Sequence, residues 1–230
     1  MYWVKAALSD LIGIQRAPYF LACTAPVGSA RVWQSLKIND NARLLQKQIP
    51  LQTQASDLMK ELILGGARSG KSAFAQRQAL ASGFAVTYLA TAEAGDAEMA
   101  ARIARHRAER PADWGLVEEP LALAAALRAH ATPDRCLLVD CLTLWLNNLL
   151  AAGDTTLHQE LDALLTTLPT LPGRILLVSN EVGQGIVPLN PLARRFRDEA
   201  GRLHQAVAAC CDRVSLVIAG LPLTLKEQTA

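Results

Sequence analysis

Apolar positions follow two different rhythms along this chain, and the change comes at Met59. Beyond it, short continuous apolar runs alternate with longer stretches in which apolar residues recur every three or four positions. That is the pattern of buried strands separated by amphipathic helices. Strands are predicted at 61–64 (ELIL), 85–90 (AVTYLA), 136–140 (CLLVD), 174–179 (RILLVS) and 213–220 (RVSLVIAG), with a short last one in LTLK at 223–226. Helices are predicted from Lys71 to about residue 82, over 96–110 with Pro111 as the stop, over about 119–130, near 143–152 and 157–168, and over about 191–211. Continuously apolar strands, each separated from the next by helix, imply an α/β fold: a mostly parallel sheet with helices on both faces.

Residues 1–58 break that grammar. Prolines are scattered, no period is sustained, and the tract LQKQIPLQTQASDL is polar and Gln-rich. The sequence therefore predicts a poorly structured N-terminal extension, or a start assigned upstream of the true one, ahead of a single domain at 59–230.

Composition narrows the class only slightly. The chain has 230 residues, 51% of them hydrophobic and 19% charged, as in an ordinary globular protein. A net charge of +2 gives no reason to expect nucleic acid or an anionic membrane as partner. No apolar run approaches the roughly 18 residues of a membrane span, and the N-terminus lacks the pattern of a signal peptide. The five cysteines (Cys23, Cys136, Cys141, Cys210 and Cys211) form no C-x-x-C pair, so they are expected to be free thiols of a reducing cytosol.

The chemistry begins at LILGGARSGKSAFA. Gly65-x-x-x-x-Gly70-Lys71-Ser72 is a P-loop, and it stands where one belongs, after a predicted strand and before a predicted helix. Its glycines let successive N–H groups turn toward an anion, and the helix N-terminus adds partial positive charge. Lys71 is expected on the β- and γ-phosphates and Ser72 on Mg²⁺. The strand CLLVD ends in Asp140, the type of carboxylate that holds the same Mg²⁺. On its own an apolar strand ending in Asp is a weak signal; downstream of a P-loop it gains weight.

A second constellation lies in EMAARIARHRAERPADW. On a helix over 96–110, Arg102, His106 and Arg110 sit four apart and share a face, with Arg105 and Arg107 beside the histidine. By residue type alone that face is either a solvated basic surface or a phosphate grip, because guanidinium groups hold phosphate oxygens in pairs. Clustered positive charge would also keep the imidazole neutral and nucleophilic. His130, His158 and His204 have no liganding neighbours in sequence and are expected on the surface or at helix caps. Trp114 is expected in a core or lid.

From Met59 to about Lys226 the chain closely resembles the bifunctional adenosylcobinamide kinase / adenosylcobinamide-phosphate guanylyltransferase family of cobalamin biosynthesis. The resemblance is carried by GGARSGKS, YLAT, EMAARIARHRAERPADW, the Asp140 strand followed by LTLWLNNLL, and VSNEVGQGIVPLNPLARRFRDEAGRLHQ. It implies a P-loop NTPase-like fold, a homotrimer, a cytoplasmic location and two reactions. A nucleoside triphosphate, ATP or GTP, phosphorylates the aminopropanol hydroxyl of adenosylcobinamide. GTP then passes GMP to that phosphate through a GMP-histidine intermediate, releasing pyrophosphate.

The resemblance also implies roles for particular positions. His106 matches the guanylylated histidine. Gly65, Gly66, Ala67, Arg68, Ser69, Gly70, Lys71 and Ser72 match the nucleotide loop, and Ala90, Thr91 and Ala92 the nucleotide-contacting segment after the second strand. Arg107, Ala108, Glu109 and Arg110 match the stretch after the histidine. Glu118 matches a nucleotide-contacting carboxylate, and Asp140 the acid that with Ser72 holds Mg²⁺; some members carry Glu at that position. The segment SNEVGQGIVP matches as a block, without roles for its individual residues.

Two other classes compete. A monofunctional P-loop kinase or NTPase would use the loop and Asp140 and leave the Arg–His helix idle. A GTP-driven switch would be expected to carry an N-K-x-D guanine-reading motif, which this chain lacks.

Overall fold

The computed structural model describes residues 59–92 and 111–227. The first strand, β1 (Lys60–Gly65), is buried along almost its whole length and leads through the P-loop into helix α1 (Lys71–Ala81). Strand β2 (Ala85–Ala90) follows. The predicted helix over 96–110, with Arg102 and His106, lies outside the described residues, as does the 1–58 extension. After it come β3 (Gly115–Glu118), α2 (Leu123–His130), β4 (Arg135–Asp140), α3 (Leu142–Ala152) and α4 (Asp154–Thr167). Strand β5 (Arg174–Asn180), helix α5 (Pro191–Cys210) and strands β6 (Arg213–Ile218) and β7 (Leu221–Glu227) complete the domain.

The strands make one seven-stranded sheet in the order β3-β2-β4-β5-β1-β6-β7. Every pair is parallel except β6 with β7, which form an antiparallel hairpin. Side chains of successive residues point to opposite faces of a strand, and the core divides accordingly. Leu62, Leu137, Val139, Ile175 and Leu177 pack with residues of α2, α3, α4 and α5 on one face. Ile63, Cys136, Leu138, Leu176 and Val178 pack with Phe74, Ala75 and Ala79 of α1 on the other. The expected mostly parallel α/β sheet with helices on both faces is therefore present.

Local chemistry explains where the helices begin. α2 starts later than the pattern suggests because Pro120 disfavours helical geometry before it, and the Glu119 carboxylate accepts from the N–H groups of Leu121 (2.9 Å) and Ala122 (2.7 Å). Asn190 caps α5, its side-chain oxygen accepting from Leu192 N–H at 2.8 Å and Ala193 N–H at 3.3 Å, with Pro191 at the first helical position. Trp145 of α3 is wholly buried and still satisfies its indole, Nε1 donating to Leu121 O at 2.7 Å. Burying a large apolar side chain of this kind contributes about 1.5–3 kcal/mol.

One prediction needs extending and one was missed. The last strand is longer than LTLK, because pairing with β6 recruits Leu221 through Glu227. Strand β6 stops at Ile218, and Ala219 and Gly220 take positive φ angles of 52° and 81° in the turn to β7. Strand β3 was not foreseen: it is short, largely exposed and lies at the sheet edge.

Candidate active site

The P-loop is shaped by steric exclusion. A Cβ on Gly65 would stand 2.5 Å from Ser69 Oγ and 2.7 Å from Val217 O, so no side chain fits there. Gly70 has φ +92°, and its missing Cβ would lie 3.1 Å from Gly220 Cα. Arg68 also takes a left-handed φ of 58°. The loop is pinned at both ends: Ser69 O accepts from Gly220 N–H at 2.8 Å, and Gly65 O accepts from Glu181 N–H at 3.0 Å. Lys71 is buried, and its Nζ donates to Gly66 O at 3.2 Å, which folds the ammonium back over the loop.

Strand register brings the other candidates to the same edge. Ala90 of β2 is the register partner of both Glu118 on β3 and Asp140 on β4. Asp140 is in turn opposite Val178 of β5, and Gly65 is opposite Asn180. Glu118, Ala90, Asp140, Asn180 and Gly65 thus mark the carboxyl ends of five neighbouring strands. Alternation turns all of them to the α1 face, because Cys136 and Leu138 share that face with Asp140, and Leu176 and Val178 with Asn180. Ligands of open α/β sheets bind at this edge.

Thr91, just past β2, is fully buried. Its hydroxyl donates to Cys141 O at 2.7 Å and accepts from Cys141 N–H at 3.0 Å. Its carbonyl accepts from Asn148 Nδ2 at 2.9 Å, and the same amide reaches Pro120 O at 3.2 Å. Thr91 and Asn148 therefore fix the ends of β2 and β4, and with them Ala92 and Asp140. Asn148 carries no signal in the local pattern, because its role lies in contacts made across the fold from a mostly apolar helix.

On the opposite face a polar relay braces the tip of β5. Ser179 Oγ lies 2.7 Å from His204 Nε2, and His204 Nδ1 lies 3.7 Å from Glu181 Oε2. Glu181 Oε1 accepts from Gly183 N–H at 2.6 Å. Burial pushes the His204 pKa down, and the nearby Glu181 carboxylate offsets this in part. The expectation of a surface or cap histidine is corrected here. Ala200, Leu203, His204 and Val207 form the buried stripe of α5, and their spacing was a readable signal.

The structure thus brings together Gly65 to Ser72, Ala90 to Ala92, Glu118 and Asp140. His106, Arg107, Ala108, Glu109 and Arg110 lie outside the described residues. Among the described residues no cluster of three or more His, Cys, Asp or Glu could hold a metal by itself.

The profile of the family described as "Cobinamide kinase / cobinamide phosphate guanyltransferase" matches residues 61–225, which include every strand and loop of this site. The chain belongs to that family. It is 63% identical over 171 residues to the bifunctional adenosylcobalamin biosynthesis protein CobP of Pseudomonas aeruginosa, covering 74% of this chain and 99% of that one. It is 40% identical over 182 residues to the bifunctional adenosylcobalamin biosynthesis protein CobU of Salmonella typhimurium, covering 73% of this chain and all of that one. The CobU of Escherichia coli is 38% identical over 182 residues, with the same coverage. The chain is accordingly a transferase with the family's two activities.

Proposed function

We propose that this chain phosphorylates adenosylcobinamide with ATP or GTP and then transfers GMP from GTP to the resulting phosphate, both at the carboxyl edge of the sheet. The observation that carries this reading is the convergence of the P-loop, Asp140 and Glu118 on one face of that edge, within the segment that matches the family. In the first reaction the aminopropanol oxygen attacks the γ-phosphorus, the bond to the β,γ-bridging oxygen breaks, and the nucleoside diphosphate leaves. Loop N–H groups and Lys71 neutralise the phosphates, so positioning and charge supply the catalysis.

In the second reaction His106 is the nucleophile. Its imidazole nitrogen attacks the α-phosphorus of GTP and pyrophosphate leaves with Lys71 and the loop on its oxygens. The cobinamide phosphate then displaces the histidine from the GMP-histidine adduct, giving adenosylcobinamide-GDP. Arg107, Ala108, Glu109 and Arg110 follow His106 directly, and the arginines would grip the phosphate under attack. Glu118, at the far end of the strand row, would contact the nucleoside end of the substrate.

Ser72 and Asp140 fit Mg²⁺: both offer oxygen, Ser72 lies in the first turn of α1 and Asp140 is on the α1 face of the sheet. Mg²⁺ takes few protein ligands besides phosphate and water, and when bound it neutralises phosphate charge. The enzyme would work in the cytoplasm, beside its triphosphates, as a homotrimer. In favour of assembly, Ile218, Leu221, Leu223 and Leu225 leave 54–64% of their surface exposed on the terminal hairpin.

Labelled GTP tests the whole reading. With cobinamide, γ-label should pass to a small-molecule phosphate. Without it, α-label should remain on the denatured protein, acid-labile but alkali-stable as an imidazole N–P bond is. His106→Ala should lose the α-label and keep the kinase reaction; undiminished labelling of that variant would place the nucleophile elsewhere.

A further inference from the structure

We propose that Asn180 is a further catalytic residue of the phosphoryl-transfer step, its carboxamide touching the transferred phosphate and the attacking hydroxyl; this rests on the kinase reading above. β5 runs beside β1, and Asn180 is opposite Gly65, where the P-loop begins. It shares the α1 face with Asp140 and stands one two-residue step, about 7 Å, further along the strand direction, past the end of β4.

The side chain carries a second mark. Its Oδ1 is buried and has no hydrogen-bond partner, although the backbone N–H of the same residue reaches Thr143 Oγ1 at 3.3 Å. A buried amide oxygen is almost always paired in a folded protein. Nor is the strand tip loose. Ser179 and Glu181, on either side of Asn180, are engaged with His204 on the other face, and Glu181 N–H is on Gly65 O. The fold holds an unsatisfied acceptor still, on the nucleotide side, next to the phosphate loop.

A carboxamide offers both halves of what the reaction needs. Oδ1 accepts from the attacking hydroxyl and aims its oxygen along the line to the γ-phosphorus. Nδ2 donates to a γ-phosphate oxygen whose charge is redistributed as the bond to the diphosphate breaks. Asn180 itself takes no proton. The hydroxyl proton passes to solvent, the new O–P bond forms, and the electron pair of the broken bond leaves with the nucleoside diphosphate. In guanylyl transfer the attacked phosphorus is two phosphates further back, so Asn180 contributes less there.

Asn180→Ala distinguishes this role from a structural one. Kinase kcat should fall by about 100-fold, the loss typical of one oriented donor, with nucleotide KM changed less than about threefold. α-Label from GTP should still reach the protein at near the wild-type rate. The melting temperature should not drop, because the substitution removes an unpaired group and not a hydrogen bond. A kinase rate within about threefold of wild type overturns the assignment, as does a parallel loss of both reactions with weakened nucleotide binding. If the Ala variant fails to fold, the isosteric Asn180→Asp decides: it keeps the shape, loses the donor and adds charge against phosphate, so wild-type kinase activity in it is equally fatal. A wild-type enzyme that takes up α-label but forms no phosphorylated cobinamide overturns the two-reaction reading and this assignment with it.

Discussion

Thr91 and Cys141 hold one another twice, through one hydroxyl that both donates to and accepts from the same backbone residue. Both bonds are buried, and they tie the end of β2 to the end of β4 beside Asp140. Thr91→Val keeps the shape and leaves the Cys141 N–H and C=O unpaired. The expected cost is about 2 kcal/mol or more, which for a domain of this size lowers the melting temperature by about 5 °C. Both reactions should slow as well, because Asp140 loses its anchor. Denaturant and thermal unfolding of the variant check this; unchanged stability would mean that the paired bonds carry no weight.

In the proposed function Lys71 is the residue that both reactions share. Its side chain is buried and its ammonium lies over the loop; on the proposed reading Lys71→Ala would remove charge from the β- and γ-phosphates in each step. A loss of at least about tenfold in kcat/KM is expected for both, or about 1.4 kcal/mol of transition-state stabilisation. An undiminished rate in either reaction would separate the two sites.

His204 gives the domain a pH dependence of known sign. Burial lowers its folded-state pKa, whereas the unfolded side chain protonates near the reference value of about 6.5. Below that value the unfolded state binds more protons, so stability is full above about pH 6.5 and falls as the pH drops toward the folded-state pKa. His204→Gln retains an amide for Ser179 and cannot titrate. Its urea-unfolding free energy should vary less steeply than wild type between about pH 7 and 5. Equal slopes would show that His204 is not responsible.

The domain boundary predicted at Met59 is tested by expressing 59–230 alone. The family profile begins at residue 61, and relatives are matched over 99–100% of their length by about three quarters of this chain. The truncated protein should fold and retain both activities. An insoluble or inactive product would make residues 1–58 structural.

The legible parts of this fold were those where one physical cue acts alone. β1, β2, β4 and β5 are continuous apolar runs because helices cover both faces of a parallel sheet. The P-loop was readable because its glycines answer steric demands, as at Gly65. β3 was invisible for the converse reason: GLVE is held by pairing with β2, and its residues are largely exposed. Asp140 could be named from the end of its apolar strand and Glu118 from resemblance, but their common alignment on Ala90 is a property of register, which no local pattern encodes. Asn148 and His204 act through long-range contacts, and of the two only His204 lay on a readable helical stripe.

The turn at Ala219 and Gly220 has a mechanical consequence. Gly220 N–H holds the loop at Ser69 O, and the same two residues join β6 to the strand that bears Leu221 and Leu223. A partner covering those leucines and a nucleotide in the loop would therefore meet at the two ends of one short turn. Thermodynamic reciprocity then applies: if assembly stiffens that turn and tightens nucleotide binding by some factor, nucleotide must tighten assembly by the same factor.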